Sequence, residues 1–386
     1  MINLLHKLIA ENREYILNEM VLPGYVKKTV ASIVNCRTME LGGHIYICPD
    51  LHGGLFHYNS CKKRGCPICM EYEQYIWYLN QKDTIPPTEH SHIIFKMPSE
   101  LSTLWLYNKY QVQTILFDAS KSAIKKISRE ENITRGWMTA LHTAGNDLSY
   151  HPHLHTLMGV GGFTLDEQVW HSSDVKIDNL RCYYEKKIKK DLLKEINKNA
   201  LTIPPEWKNG KIIKIIEEGE FPIHQAGVYS NGEGVLKYLS KKLKTGAINT
   251  KQILSYDGND VIFYYKQGKR KEKVKLSKEE FLKRFLNHIP LKGFKMIRCY
   301  GLYSSWQKGK ARKLVEKATG VRSSSVEKKE ENKFKCPVCG KELSIVKRYE
   351  SKEFMNLFIK MRKDNPDKPP PGHGEFERFD INILEK

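Results

Sequence analysis

Between residues 86 and 304 short apolar runs alternate with amphipathic stretches. Residues 86–98 (PPTEHSHIIFKMP) predict a strand entered through a proline pair. Residues 101–129 place Leu104, Leu106, Ile115, Leu116 and Ile124 in one long helical stretch. Residues 133–143 (ITRGWMTALHT) and 151–161 (HPHLHTLMGVG) predict two strands. Gly145-Asn146-Asp147 between them predicts a turn, so the pair reads as a hairpin. Basic residues 179–198 predict a helix. A further helix is predicted over 233–244, with Val235, Leu236, Leu239 and Leu243 as its apolar stripe. A strand over 260–266 follows, and Ser277 and Glu280 stand at capping-box spacing before Phe281, Leu282, Phe285 and Leu286. No internal repeat is present. Strands interspersed with helices in this order predict an α+β or mixed-sheet domain.

The flanks differ in character. Residues 1–85 are dominated by Cys and His. Residues 305–335 are charged and polar without clear periodicity and read as a linker. The CPVCG at 336–340 opens a small C-terminal module, and the proline run at 369–371 lies in a tail. The expected division is therefore 1–85, 86–304 and 305–386.

Composition narrows the class. The chain has 386 residues, of which 40% are hydrophobic. That is enough for a sizeable core in roughly two or three domains, and it excludes a wholly disordered chain. No apolar run reaches the ~18 residues of a membrane span. The opening MINLLHKLIAENREY is interrupted by charge and lacks the apolar centre of a signal peptide. A cytoplasmic location is expected, where nine cysteines serve as metal ligands rather than disulfides. Lys and Arg number 64 against 44 Asp and Glu, a net charge of +20, which points to a polyanionic partner, nucleic acid first. Twenty Tyr and six Trp supply surfaces for base stacking.

Cys36, Cys48, Cys61, Cys66 and Cys69 fall within 34 residues, with His44, His52 and His57 among them. The turn spacing of Cys66-Pro-Ile-Cys69 lets two thiolates reach one tetrahedral Zn²⁺. Eight candidates suffice for two four-ligand sites, or for one full and one looser site, and spacing does not assign them. Lys62, Lys63 and Arg64 inside the cluster are candidate phosphate contacts. Cys336 and Cys339 form a second CxxC, either a zinc knuckle completed by distant ligands or an inert turn. Cys182 and Cys299 are isolated and expected in the core.

His151, His153 and His155 alternate along one predicted strand and share a face, while Leu154 points to the core. Two imidazoles so spaced can hold one divalent ion. Pro152 cannot donate to a ladder and marks the strand start, which favours His153 and His155 as the pair. His142, 11 residues before His153, is a candidate third ligand if the hairpin pairs the strands; otherwise it is an ordinary buried histidine. On the 233–244 helix, Tyr238 lies at the rim of the apolar stripe with Lys242 one turn later.

Taken in order, YNSCKKRGCPIC (58–69), HIIFKMP (92–98), ALHTAGNDLSYHPHLHTLMGVGG (140–162), VLKYLSKKL (235–243), EEFLKRFLNHIPLKGFKMIRCYGL (279–302) and CPVCG (336–340) are similar to rolling-circle insertion-sequence transposases with an HUH nuclease domain. The resemblance spans about Cys36 to Leu343. It implies a central antiparallel sheet with flanking helices, small zinc-binding modules, and metal-dependent cutting and rejoining of single-stranded DNA. The DNA expected is element-end hairpins and target DNA. His153 and His155 would hold Mg²⁺ or Mn²⁺, which polarises a scissile phosphate oxygen. Tyr238 matches the family nucleophile, which stays joined to a 5′ phosphate and frees a 3′ hydroxyl. His142 matches an upstream histidine of related relaxases. Several relatives carry a second tyrosine four positions on, where Lys242 stands here, so this chain resembles the one-tyrosine variety. Lys242 and Arg298 are further candidate phosphate contacts, as is the basic run Lys308, Lys310, Arg312 and Lys313. A plasmid replication initiator or relaxase shares this chemistry, and a non-catalytic zinc DNA-binding protein is the alternative of a different class.

Overall fold

A computed structural model describes residues 3–82, 85–86, 88–165, 169–207, 210–230, 234, 236–237, 239–240, 246–267, 270–304, 308–320, 334–361 and 371–378. Helices α1 (Leu4–Glu11) and α2 (Gly24–Val34) precede strands β1 (Gly43–Ile47) and β2 (Gly54–Tyr58). Helix α3 (Met70–Lys82) leads to β3 (His90–Lys96), α4 (Ser102–Tyr107) and α5 (Lys109–Glu130). Next come β4 (Ile133–Thr134), β5 (Gly136–Ala144), β6 (Tyr150–Gly159), β7 (Gly162–Thr164) and β8 (Trp170–His171). Helices α6 (Ile177–Asn197) and α7 (Lys211–Glu218) precede β9 (Ile223–Tyr229), β10 (Ile253–Tyr256), β11 (Asp260–Gln267) and β12 (Arg270–Ser277). The helix Lys278–Asn287, β13 (Ile297–Gly301), the helix Lys308–Thr319, β14 (Ser344–Tyr349), the helix Ser351–Met361 and β15 (Phe376–Glu377) complete the order. The class is α+β, as expected.

The chain folds as two units, one of residues 1–71 with 327–386 and one of residues 72–326. The first departs from the three-part division read from the sequence. Its antiparallel sheet runs β14-β1-β2-β15, so the C-terminal segment supplies both outer strands instead of standing apart. The core of this unit gathers Ile45, Phe56, Tyr58, Tyr349, Phe354 and Leu357. Each such fully buried apolar side chain contributes about 1.5–3 kcal/mol to folding.

In the second unit a five-stranded antiparallel sheet has the order β13-β5-β6-β3-β9. The predicted hairpin is its centre. Trp137, Leu141, Leu154, Met158, Ile93 and Phe95 turn to one face and bury against α5 and α6. Met138, Ala140 and Leu157 turn to the other, where Leu236, Leu239, Leu302, Ala311 and Val315 cover them. A separate antiparallel sheet, β10-β11-β12, carries the helix Lys278–Asn287, whose Phe281 packs on Phe263 at 5.8 Å between rings. Ser277 caps that helix by accepting from the Glu280 N–H.

Three local readings are corrected. The 101–129 helix is broken at Asn108, whose side-chain amide donates to the carbonyls of Leu104 (2.9 Å) and Thr202 (2.8 Å). Part of the presumed linker 305–335 is the helix Lys308–Thr319. Ala311 and Val315, one turn apart, bury there, too sparse a stripe to show among the lysines. Cys182, expected in the core, is exposed on α6, and Cys299 is half-buried on β13.

Candidate metal centres and the histidine face

The first unit gathers eight metal-ligating side chains into two separate groups. Cys36, at the end of α2, joins Cys61, Cys66 and Cys69 from the loop after β2. The Sγ atoms of Cys61 and Cys69 are 3.8 Å apart. Four thiolates at a Zn–S distance of about 2.3 Å stand about 3.8 Å apart at tetrahedral corners, so the set fits Zn²⁺. Backbone N–H groups of Cys61 and Lys63 donate to Cys36 Sγ and Cys61 Sγ, each at 3.4 Å. Hydrogen bonds among the thiols, with Cys61 the strongest partner, hold the Cys36 thiol well below its ordinary value. Lys62 and Lys63 are exposed on the Cys61–Cys66 loop, and Arg64 is half-buried.

The second group is Cys48, His52, Cys336 and Cys339. His44 and His57, read as possible zinc ligands, belong to neither group. They face each other across β1 and β2, on the side of the sheet that also carries Tyr46 and Leu55. There His57 packs with Tyr46, Phe334 and His373. His373 accepts the Tyr58 N–H at 3.0 Å, and burial pulls its pKa down to about 4.

The second unit carries the histidine face. β5 and β6 pair with His142 opposite His153 and Ala140 opposite His155. All three imidazoles therefore point to the face covered by Leu236 and Leu239. His153 Nε2 is 3.0 Å from His155 Nε2 and 3.2 Å from His142 Nδ1. His153 Nδ1–H donates to the His151 carbonyl at 2.7 Å, which leaves the His153 Nε2 lone pair directed at its two neighbours. Cis ligands at a metal–nitrogen distance of about 2.1 Å stand about 3.0 Å apart, so the three nitrogens fit one face of an octahedral ion and leave its other positions open. Pro152 is accommodated because the β3 ladder ends at the Lys96–His153 pair and the β5 register slips between His142 and Ala144.

One residue of this face escaped the sequence reading. His92, on β3, is buried, and its Nε2 lies 2.9 Å from His155 Nδ1 with the rings stacked. Burial, aided by His224, lowers its pKa to about 4, so it stays neutral and able to accept. The signal was present: His90-Ser91-His92 has the same His-x-His alternation as His153 and His155. Beside this face opens a cleft of about 720 Å³, whose lining includes Lys96, His151, Lys211 and Lys214.

Other expected site residues lie elsewhere. Arg298 pairs with Thr139, on the opposite face of the sheet, and its guanidinium stacks over Phe117 at 4.2 Å. Hence Arg298 is not brought to the histidines. Tyr238 and Lys242 lie outside the described residues, as do the side chains of Lys308, Lys310 and Arg312; Lys313 is exposed. No described helix is long and apolar enough to cross a membrane.

Residues 8–97 match the family described as "Transposase zinc-binding domain", and residues 136–311 match the family described as "Putative transposase". The chain is 25% identical over 292 residues to "Putative transposase y4qJ" of Sinorhizobium fredii, covering 71% of this chain and 73% of that protein. It is 28% identical over 306 residues to "Transposase for insertion sequence element IS801" of Pseudomonas savastanoi pv. phaseolicola, covering 75% and 73%. No solved structure matches. The N-terminal match encloses the four-cysteine group and the other runs through all three clustered histidines; the chain is thus similar to insertion-sequence transposases that carry an N-terminal zinc-binding domain.

Proposed function

We propose that this transposase cuts and rejoins single-stranded DNA through a covalent link between Tyr238 and a 5′ phosphate, in rolling-circle-type transposition. The convergence of His142, His153 and His155 carries this reading, because three imidazole nitrogens converging from rigid strands make an open divalent-ion site. Those three residues would hold Mg²⁺ or Mn²⁺. When bound, the ion stabilises the charge that develops on the scissile phosphate oxygens. Leu236 and Leu239, which bracket Tyr238, bury on the histidine-bearing face of the sheet.

The Tyr238 oxygen attacks phosphorus, the phosphorus–O3′ bond breaks, and the 3′ oxygen leaves as a hydroxyl with the proton lost from the phenol. One phosphoester replaces another, so a second 3′ hydroxyl can reverse the step without a nucleotide cofactor. Lys242, four residues after Tyr238 in the sequence, would be a phosphate contact. The substrates are single-stranded element ends, hairpins among them, and target DNA in the cytoplasm.

The test is adduct formation. Incubated with single-stranded terminal DNA and Mn²⁺, the wild type yields a covalent protein–DNA species on a denaturing gel and Tyr238→Phe yields none. An undiminished adduct with Tyr238→Phe would overturn the assignment.

A further inference from the structure

The second cysteine group draws its ligands from two remote parts of the chain. Cys48 and His52 sit at the turn between β1 and β2, while Cys336 and Cys339 sit in the CPVCG turn before β14. We propose that these four residues hold a Zn²⁺ of their own, a Cys₃His site, and that this ion fastens the C-terminal segment into the N-terminal zinc-binding unit. The inference rests on the zinc-binding domain and is independent of the tyrosine chemistry.

The donor spacing is that of a loaded site. Cys48 Sγ lies 3.5 Å from His52 Nδ1 and 3.5 Å from Cys339 Sγ, and Cys336 Sγ lies 3.9 Å from His52 Nδ1. A zinc tetrahedron with Zn–S of about 2.3 Å and Zn–N of about 2.0–2.1 Å has sulfur–sulfur spans of about 3.8 Å and sulfur–nitrogen spans of about 3.6 Å. The three observed spans scatter about those values. The cysteines are free rather than bridged.

Both turns are shaped for the task before they meet. In the first, the Cys48 N–H donates to the Gly53 carbonyl at 3.1 Å and the Leu51 N–H to the Cys48 carbonyl at 2.9 Å. In the second, the Gly340 N–H donates to the Cys336 carbonyl at 2.9 Å, with Gly340 at φ +74, and the Val338 N–H donates to Cys336 Sγ at 3.4 Å. An ion pair of 2.7 Å between Asp50 and Lys341 joins the two turns beside the thiols. Cys48 and Cys336 are buried among Leu55 and Leu343. Each turn alone offers only two ligands, so neither end of the chain makes a complete site by itself.

The partition follows. Cys36, Cys61, Cys66 and Cys69 form a site local to the N-terminal residues, and the shared site needs the C-terminal segment as well. The family match to the zinc-binding domain ends at residue 97, so half of the shared site lies beyond it.

Metal analysis of the full-length protein tests this. Two zinc ions per chain are expected in the wild type, and one in Cys336→Ser with Cys339→Ser. In that variant, limited proteolysis removes residues 334–378 at a concentration that spares them in the wild type. X-ray absorption of the wild type should average the two sites as seven sulfurs to one nitrogen. As a check that does not depend on the double variant folding, Cys339→His keeps two metals, and its cobalt-substituted form loses part of its thiolate charge-transfer band. One zinc in the wild type, or two in the double serine variant, would overturn the shared site.

Discussion

His92 and His155 meet at 2.9 Å, Nε2 to Nδ1, across neighbouring strands of the central sheet. The His155 Nδ1–H has its acceptor in a neutral His92, so the His155 Nε2 lone pair is held toward His153. Removal of such a partner ordinarily weakens metal binding 10–100-fold. We expect His92→Leu to raise the Mn²⁺ dissociation constant by about that factor, with His92→Gln in between, as read by metal titration of purified protein. An unchanged constant in His92→Leu would show that packing alone orients His155.

The three clustered histidines and the two cysteine groups lie in different units, so loss of one kind of site should leave the other intact. His153→Ala with His155→Ala is expected to abolish Mn²⁺ binding and DNA cleavage while the zinc content stays at the wild-type value. A proportional loss of zinc would mean that the two kinds of site are not independent.

Tyr303 fills the space left by two glycines. A Cβ on Gly136 would overlap the Tyr303 ring, and one on Gly159 would press its hydroxyl at 3.0 Å. Overpacking of this kind costs about 1–3 kcal/mol. Gly136→Ala is expected to lower the urea midpoint of the second unit accordingly, and pairing it with Tyr303→Leu should recover part of the loss.

His90 makes acid lability measurable. Its Nδ1–H donates to the Thr88 carbonyl at 2.6 Å, its Nε2 accepts the Tyr303 hydroxyl at 2.5 Å, and burial lowers its pKa to about 4. Unfolded, it takes up a proton below about pH 6.5. Between these values the unfolded chain binds more protons, so stability is fully present above pH 6.5 and falls as pH drops toward 4. His90 should contribute up to about 1.4 kcal/mol per pH unit to that slope. His90→Gln should flatten the pH dependence of urea unfolding by this amount, and an identical slope would contradict the assignment.

Much of the second unit was legible because its signals are local. The strand Gly136–Ala144, its return Tyr150–Gly159 and the helix Ile177–Asn197 lie within three residues of their predicted limits, and the histidine alternation declared its own face. What escaped depends on partners remote in sequence. Nothing near Cys48 says that Cys339 completes its set, and nothing near His44 says that it faces His57 and joins no ligand group. Likewise Arg298 looked available, yet pairing with Thr139 turned it to the opposite side. His92 was hidden within an apolar strand motif, since its role depends on a histidine of another strand.

The order of strands β14-β1-β2-β15 has a consequence for synthesis. The β1–β2 ribbon is made with the backbone groups of both flanks exposed, and the strands that cover them begin only at Ser344 and Phe376. At about 5–20 residues per second this interval lasts roughly 15 to 60 s. A prematurely terminated product never covers those flanks, and such open margins are templates for pairing with a neighbouring molecule. Shortened translation products of this gene should therefore accumulate as aggregates rather than as competing DNA binders.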